Sequence, residues 1–313
     1  MTLLWLVLAG IGMAVLVGLV YWQLIIAEGA YLGPRVVACT YDLVASRYDA
    51  IKRFDPRDEN WFVAGPLMAE LGNVRCPLVL DVATGTGRLP LALLRARFRG
   101  QIVGLDLSQG MLLQARSKLR PYDDQVHWVW QDASQLPFED GVFEAVTCLE
   151  SLEFLPHPLE SLAEMVRVLA PGGVLFVSNR VGHEAYWLPG RAIPRPLFEQ
   201  ALASHSLRDV AVRPWQSNYD LALAHKEGTL GATGRHGADL ASLLCCPRCG
   251  GRVQRGLTWY SCQSCDLTYP VRAGVVWLAP SEQPGLWQRP ASSRRLWRLW
   301  EKRSRSESHL HGE

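Results

Sequence analysis

Asp81, Asp106 and Asp132 each close a short apolar run, and a glycine turn, Gly85-Thr86-Gly87, follows the first of them. Pro77 to Val82 has the composition of a strand covered on both faces by helices. Gly85 and Gly87 let the backbone turn sharply and approach a ligand without a Cβ in the way. A helix beginning at Arg88 would aim its free N–H groups and positive dipole end at that ligand, which suits a carboxylate or a phosphate. A dinucleotide fingerprint requires a third glycine three residues after the second, where this chain has Pro90. The acid at position 81 would repel a pyrophosphate and attract an ammonium. A ligand bearing both an ammonium and a carboxylate, the methionine half of S-adenosylmethionine, satisfies loop and acid together; a glycine turn with no ligand is the alternative.

Asp106 ends the run Gln101 to Leu105 about twenty residues past the glycines, where an acid hydrogen-bonds both hydroxyls of a ribose. Asp132, in Gln131-Asp132-Ala133, is placed to accept from an adenine amino group while the Ala133 amide donates to a ring nitrogen; a loop acid capping the next turn is its competing role. Methyl transfer from a sulfonium is an in-line displacement, so orientation and exclusion of water can supply most of the catalysis. A base is needed only for an acceptor that holds its proton tightly. Glu150, Glu153, His157 and His183 are polar residues near strand ends, and none of them stands out as that base.

The positioning elements follow from periodicity. Helices are expected over Tyr41 to Asp49, Trp61 to Leu71, Arg88 to Arg99, Met111 to Leu119 with Ser108 as N-cap, and Leu159 to Leu169. Strands are expected at Pro77 to Asp81, Gln101 to Asp106, Val126 to Trp130, Phe143 to Cys148 and Val174 to Ser178. The last is launched by Pro171-Gly172-Gly173. Two more, Asp209 to Trp215 and Tyr219 to Ala224, are joined by only Gln216-Ser217-Asn218 and must run antiparallel. The fold class is therefore α/β: a doubly wound, mostly parallel, seven-stranded Rossmann-like sheet whose ligands bind at the strands' carboxyl ends, where Asp81, Gly85, Asp106, Asp132 and Leu149 fall.

From Tyr41 to about Lys226 the sequence resembles the class I S-adenosylmethionine-dependent methyltransferases, and in particular the ubiquinone and menaquinone biosynthesis branch. The carriers are Tyr41-Asp42 with Tyr48-Asp49, the Leu80 to Gly87 loop, Leu105-Asp106-Leu107-Ser108, Gln131-Asp132-Ala133, Leu136-Pro137-Phe138 and Arg167 to Gly173. The resemblance implies that Asp81 and the Gly85 to Gly87 loop hold the methionine part, Asp106 the ribose and Asp132 the adenine. Ala83, Leu107, Ala133 and Leu149 lie alongside, and Tyr48 covers the cofactor. Ala83 stands where the family loop usually has its first glycine. Glu144 replaces an aspartate before the fourth strand, and Glu153 a frequent histidine after it.

Leu3 to Ala27 is almost continuously apolar and long enough as a helix to cross a hydrocarbon core of about 30 Å. No Lys or Arg precedes it, whereas Arg35, Arg47, Lys52 and Arg53 follow. The expectation is a retained single-pass anchor over 1–30 with the rest of the chain on the cytoplasmic side, the alternative being a cleaved signal peptide. The methyltransferase-like domain is expected over 31–226 and a polar, glycine-rich linker over 227–241. In 242–282, Cys246-Pro247-Arg248-Cys249 and Cys262-Gln263-Ser264-Cys265 have zinc-ribbon spacing. Four thiolates leave no open position, so the Zn2+ is structural; two disulfides are the alternative. Leu244 to Leu278 resembles the small zinc-ribbon proteins that bind and stabilise tRNA, rRNA and protein methyltransferases. A basic, aromatic tail occupies 283–313 and, from Trp287 to Arg305, suits an anionic membrane surface, with a disordered, solvated tail as the equal alternative.

With 32 Lys and Arg against 30 Asp and Glu, the chain has no general basic field for nucleic acid. The leading expectation is a membrane-anchored methyltransferase acting on a lipidic or quinone-like small molecule. The alternatives are an RNA or protein methyltransferase gripping its substrate through Arg248, Arg252 and Arg255 of the ribbon, and a non-catalytic S-adenosylmethionine-binding scaffold.

Overall fold

The computed structural model describes residues 2–231, 234 and 239–278. The chain opens with α1 (Thr2–Tyr21), which widens into a π-helical turn over Trp22–Ile26. Together Leu4–Ile26 form a 23-residue span of mean hydropathy 2.4 with none of its best window buried in protein. That is long and apolar enough to cross a membrane. Four short helices follow: α2 (Pro34–Val44), α3 (Tyr48–Lys52), α4 (Pro56–Glu59) and α5 (Gly65–Glu70). The single helix expected from Trp61 is instead a π-turn over Asn60–Ala64 leading into α5. Pro66 explains the difference, since it has no N–H to give the preceding turn and its ring crowds the carbonyl four residues back.

The sheet comes next, as β1 (Leu78–Val82), α6 (Arg88–Arg95), β2 (Gln101–Asp106), α7 (Gln109–Lys118), β3 (Val126–Trp130), β4 (Phe143–Cys148), α8 (Pro158–Val168), β5 (Leu169–Arg180), α9 (Gly182–Ala185), α10 (Arg195–Ser204), β6 (Leu207–Trp215) and β7 (Tyr219–Lys226). Their order is β6-β7-β5-β4-β1-β2-β3. β1 pairs in parallel with both β2 and β4, so the winding reverses beside β1. β7 runs antiparallel to β5 and β6, as the three-residue link requires. Every residue of β1 and β4 is buried, as befits strands covered on both faces. α6 stops at Arg95, short of the expected Arg99, where Arg97 turns into the left-handed region at φ 63°. β5 starts earlier than expected: Leu169 pairs with Phe143, and the ladder resumes only at Val174 opposite Ala145. Pro171, which cannot donate to a ladder, sits in that bulge.

The last segment is α11 (Leu240–Leu243), β8 (Val253–Arg255), β9 (Trp259–Cys262), β10 (Thr268–Arg272) and β11 (Val275–Trp277). It is not a free module. β11 pairs in parallel with β3, matching Val275 to Trp128 and Trp277 to Trp130, and extends the sheet to eleven strands. The Leu278 amide donates to the Trp130 carbonyl at 3.1 Å and the Cys245 amide to the Pro137 carbonyl at 2.7 Å. A seven-stranded reading thus omits a continuation that closes the β3 edge. The tail expected over 283–313 lies outside the described residues, as do 279–282 and, within the linker, 232–233 and 235–238.

Candidate active site

A cavity of about 920 Å³, counting its open mouth, lies beyond the carboxyl ends of β1 to β4. This is the switch-point crevice of a doubly wound sheet. Tyr48, Ala83, Gly85, Asp106, Leu107, Asp132, Ala133 and Leu149 all line it. On the opposite side Pro34, Val37, Ala38 and Tyr41 of α2 form an apolar wall.

Asp106 ties the floor together. Its Oδ2 accepts from the Gly85 amide and its Oδ1 from the Ser108 amide, both at 2.8 Å. Burial pushes its pKa up to about 6, against the pull of these amides. Ser108 caps α7, as expected, by accepting from the Met111 amide. Its hydroxyl donates in turn to Asp42 of α2, which also accepts from the Gly110 amide at 2.7 Å. The helix preceding the sheet is thereby pinned over the cavity.

The two glycines have different work. A Cβ at Gly85, φ +55°, would meet nothing within 4 Å, so this backbone faces open space where a ligand can approach. A Cβ at Gly87 would strike Leu119, Ala115 and Trp128, so its absence lets the loop pack on α7 and β3. Ala83, in the same loop, is held at φ 54°. Asp81 and Gly87, both expected at the ligand, are not among the lining residues. Asp81 is buried behind the loop, accepting from the Thr84 hydroxyl at 2.6 Å and the Thr147 hydroxyl at 2.7 Å, and burial raises its pKa to about 6.

Asp132 uses Oδ1 to accept from the Ser134 amide and hydroxyl, the turn-capping role, while its residue still lines the cavity. Its neighbour Gln131 is 4% exposed, lines the same wall, and has a buried Oε1 with no hydrogen-bond partner. An amino group is the complement such an acceptor lacks. No property of Gln131 in the sequence marks it for this role; only its burial does.

Of the four polar residues considered as a base, Glu150 alone lines the cavity, and it is fully engaged. It pairs with Arg88, with Lys52 at 3.1 Å and with Gln216 at 2.8 Å. Burial favours its protonated form, but the Arg88 and Lys52 charges outweigh this and hold its pKa below the ordinary value. Glu59 completes the cluster with a two-point contact to Arg88, at 2.7 Å each. Glu153 is buried and accepts from Arg180 and Tyr219, each at 2.7 Å. His157 and His183 are exposed and do not line the cavity. Tyr48 packs between the rings of Tyr41 and Phe54, and burial followed by the nearby Glu150 and Glu28 charges raises its pKa. A phenol so held stays neutral.

In the ribbon, the Sγ atoms of Cys246, Cys249, Cys262 and Cys265 lie within 4.8 Å of one another. Cys246 and Cys265 are 3.6 Å apart and Cys249 and Cys262 3.5 Å, well beyond a disulfide bond, and all eight cysteines are free thiols. Zn–S bonds of about 2.3 Å in a tetrahedron place sulfurs about 3.8 Å apart, so the spacing fits that ion. Arg252 faces Glu139 at 3.7 Å and Arg255 faces Asp239 at 3.3 Å, so two of the arginines considered for gripping RNA or protein have acidic neighbours.

Residues 80–177 match the family described as a methyltransferase domain. The chain is 36% identical over 137 residues to a ubiquinone/menaquinone biosynthesis C-methyltransferase of Desulfotalea psychrophila, covering 42% of this chain and 53% of that protein. It is also 36% identical over 146 residues to a demethylmenaquinone methyltransferase of Clavibacter sepedonicus, covering 46% of this chain and 58% of that one. The chain thus spans little more than half the length of these relatives. Among solved structures the cyclase SpnF superposes with a TM-score of 0.53 at 20% identity, covering 63% of this chain and 97% of that one. That likeness concerns the fold.

Proposed function

We propose that this chain is an S-adenosylmethionine-dependent methyltransferase acting on a quinone-like, lipidic small molecule, and that its N-terminal helix anchors it in a membrane with the catalytic domain on the cytoplasmic side. The observation that carries the reading is the convergence of Asp106, the open Gly85 backbone and the partnerless Gln131 acceptor on one cavity floor. The sequence likeness to quinone methyltransferases supports the acceptor class, and the apolar α2 wall suits it.

When bound, S-adenosylmethionine supplies an electrophilic methyl carbon. The chain's own residues bind and orient. Asp106 accepts from the ribose hydroxyls with the lone pairs not used by the Gly85 and Ser108 amides. Gln131, Asp132 and the Ala133 amide read the adenine edge. The Gly85 loop receives the carboxylate, and buried Asp81 adds negative potential behind it for the ammonium. Ala83, Leu107, Leu149 and Tyr48 exclude water. Holding acceptor and methyl in line can supply about 7–11 kcal/mol without any covalent participation by the protein. The four ribbon thiolates hold a structural Zn2+.

The test is methyl-labelled S-adenosylmethionine added to membranes carrying the full chain. Label should enter the lipid extract and should be lost in Asp106→Ala. Label confined to RNA or protein would overturn the acceptor class, and binding without transfer to any fraction would leave only a scaffold.

A further inference from the structure

We propose that the turn carrying Tyr186 and Trp187 lies in the interface of the bilayer crossed by the N-terminal helix, and that the cavity takes its acceptor from that interface. The inference rests on the anchor proposed above and goes beyond it, because an anchor on a loose tether would leave the catalytic domain free to tumble in any orientation. Here the tether is stitched down. Trp22, in the last turns of the apolar span, donates its indole N–H to the Trp187 carbonyl at 3.0 Å. Tyr31 stacks on Trp22 at 5.1 Å and donates its hydroxyl to the Pro189 carbonyl at 2.8 Å. Arg191 then bridges two places at once, donating to the Ala30 carbonyl at 2.7 Å and the Leu155 carbonyl at 2.6 Å.

The groups fixed at that level are the wrong ones for water. Tyr186 is 84% exposed, Trp187 46% and Leu32 55%. Aromatic rings at the end of an apolar span are what a membrane–water interface selects, since the ring is apolar and its polar atom wet. Leu155 and Pro34, the latter eight residues past the span's end, both line the cavity. One arginine therefore links the foot of the anchor to the cavity wall. A lipidic acceptor has no need to leave the bilayer to reach it.

The experiment reconstitutes the full chain in phosphatidylethanolamine–phosphatidylglycerol vesicles containing a phospholipid with a diazirine near its headgroup, then maps crosslinked peptides by mass spectrometry. Peptides covering 2–26 and 182–191 should both carry label, the latter at least about fivefold above the ribbon peptide 253–262, in keeping with interfacial aromatics. In Tyr186→Asp combined with Trp187→Asp, label on 182–191 should fall toward the ribbon level while that on 2–26 stays. Label on 2–26 alone would overturn the interfacial placement and leave the anchor standing. Label on neither would overturn both.

Discussion

At the scale of residues, the cavity floor and the layer behind it hold carboxylates whose charge burial disfavours. Asp81 and Asp106 have folded pKa values of about 6, above the unfolded value near 4, because burial disfavours their charge. Each binds its proton more tightly in the folded chain. Their contribution to stability is therefore fully present below about pH 4 and declines as pH rises through about 6. A cationic ligand reverses the balance by favouring ionisation. Binding S-adenosylmethionine at about pH 6 should release protons, read as a buffer-dependent calorimetric heat, and the effect should vanish near pH 8. No buffer dependence at the lower pH would separate these acids from the ligand. Ala83 offers a second prediction. Its left-handed backbone costs an alanine about 1–2 kcal/mol, partly offset by the greater unfolded-state entropy of glycine. Ala83→Gly should raise the free energy of unfolding by about 0.5 kcal/mol in a denaturant titration; a fall would mean that the methyl is packed favourably.

At the scale of elements, the ribbon does for β3 what a helix or a charged edge does in other sheets. β11 takes up the β3 ladder, and the Trp277 ring lies 5.1 Å from that of Trp130. The cysteine cluster bears on the sheet through this strand: Cys262 closes β9, β9 pairs with β10, and β10 pairs with β11. With Zn2+ held as proposed, a chelator should lower the thermal midpoint of the whole α/β domain and promote aggregation, not merely melt the ribbon. Scanning calorimetry with and without chelator reads this, and an unchanged main transition would show that the ribbon is only appended. Trp277→Ala should cost about 3 kcal/mol by the same route. The Arg88 cluster belongs to this scale as well, since Glu59, Glu150 and Lys52 come from three different segments. Glu150→Gln leaves Arg88 and Lys52 with less compensation in a site where the glutamate side chain is 8% exposed, and should destabilise the domain by about 3 kcal/mol.

At the scale of the whole molecule, the N-terminal apolar span and the cavity are separable in principle. α1 contributes no lining residue to the cavity, whereas α2 contributes several. A chain lacking residues 2–21 should fail to float with vesicles yet bind S-adenosylmethionine with an affinity within about threefold of the full chain, since the removed helix lines no part of the cavity and Trp22, Tyr31 and Arg191 remain. Loss of binding with the span would place α1 inside the folding unit of the catalytic domain.

Much of this was legible from local signals. The order of strands and helices, the tight antiparallel pair at the end, the Ser108 cap, the placement of Asp106 and Asp132 at strand tips and the pairing of the Cys-x-x-Cys motifs all follow from runs of a few residues, because hydrophobic period, turn chemistry and ligand spacing act over that range. The tertiary structure decided what depends on residues far apart in the chain. It withdrew Asp81 behind two threonines, left Gln131 with a buried, partnerless acceptor at the cavity, joined Glu150 to Arg88, and stitched Trp22 to Trp187 across 165 positions. It also turned an expected appended ribbon into the edge of the sheet. A free backbone edge or a buried charge selects its partner by proximity in the fold, and proximity of that kind leaves no periodicity in the sequence to read.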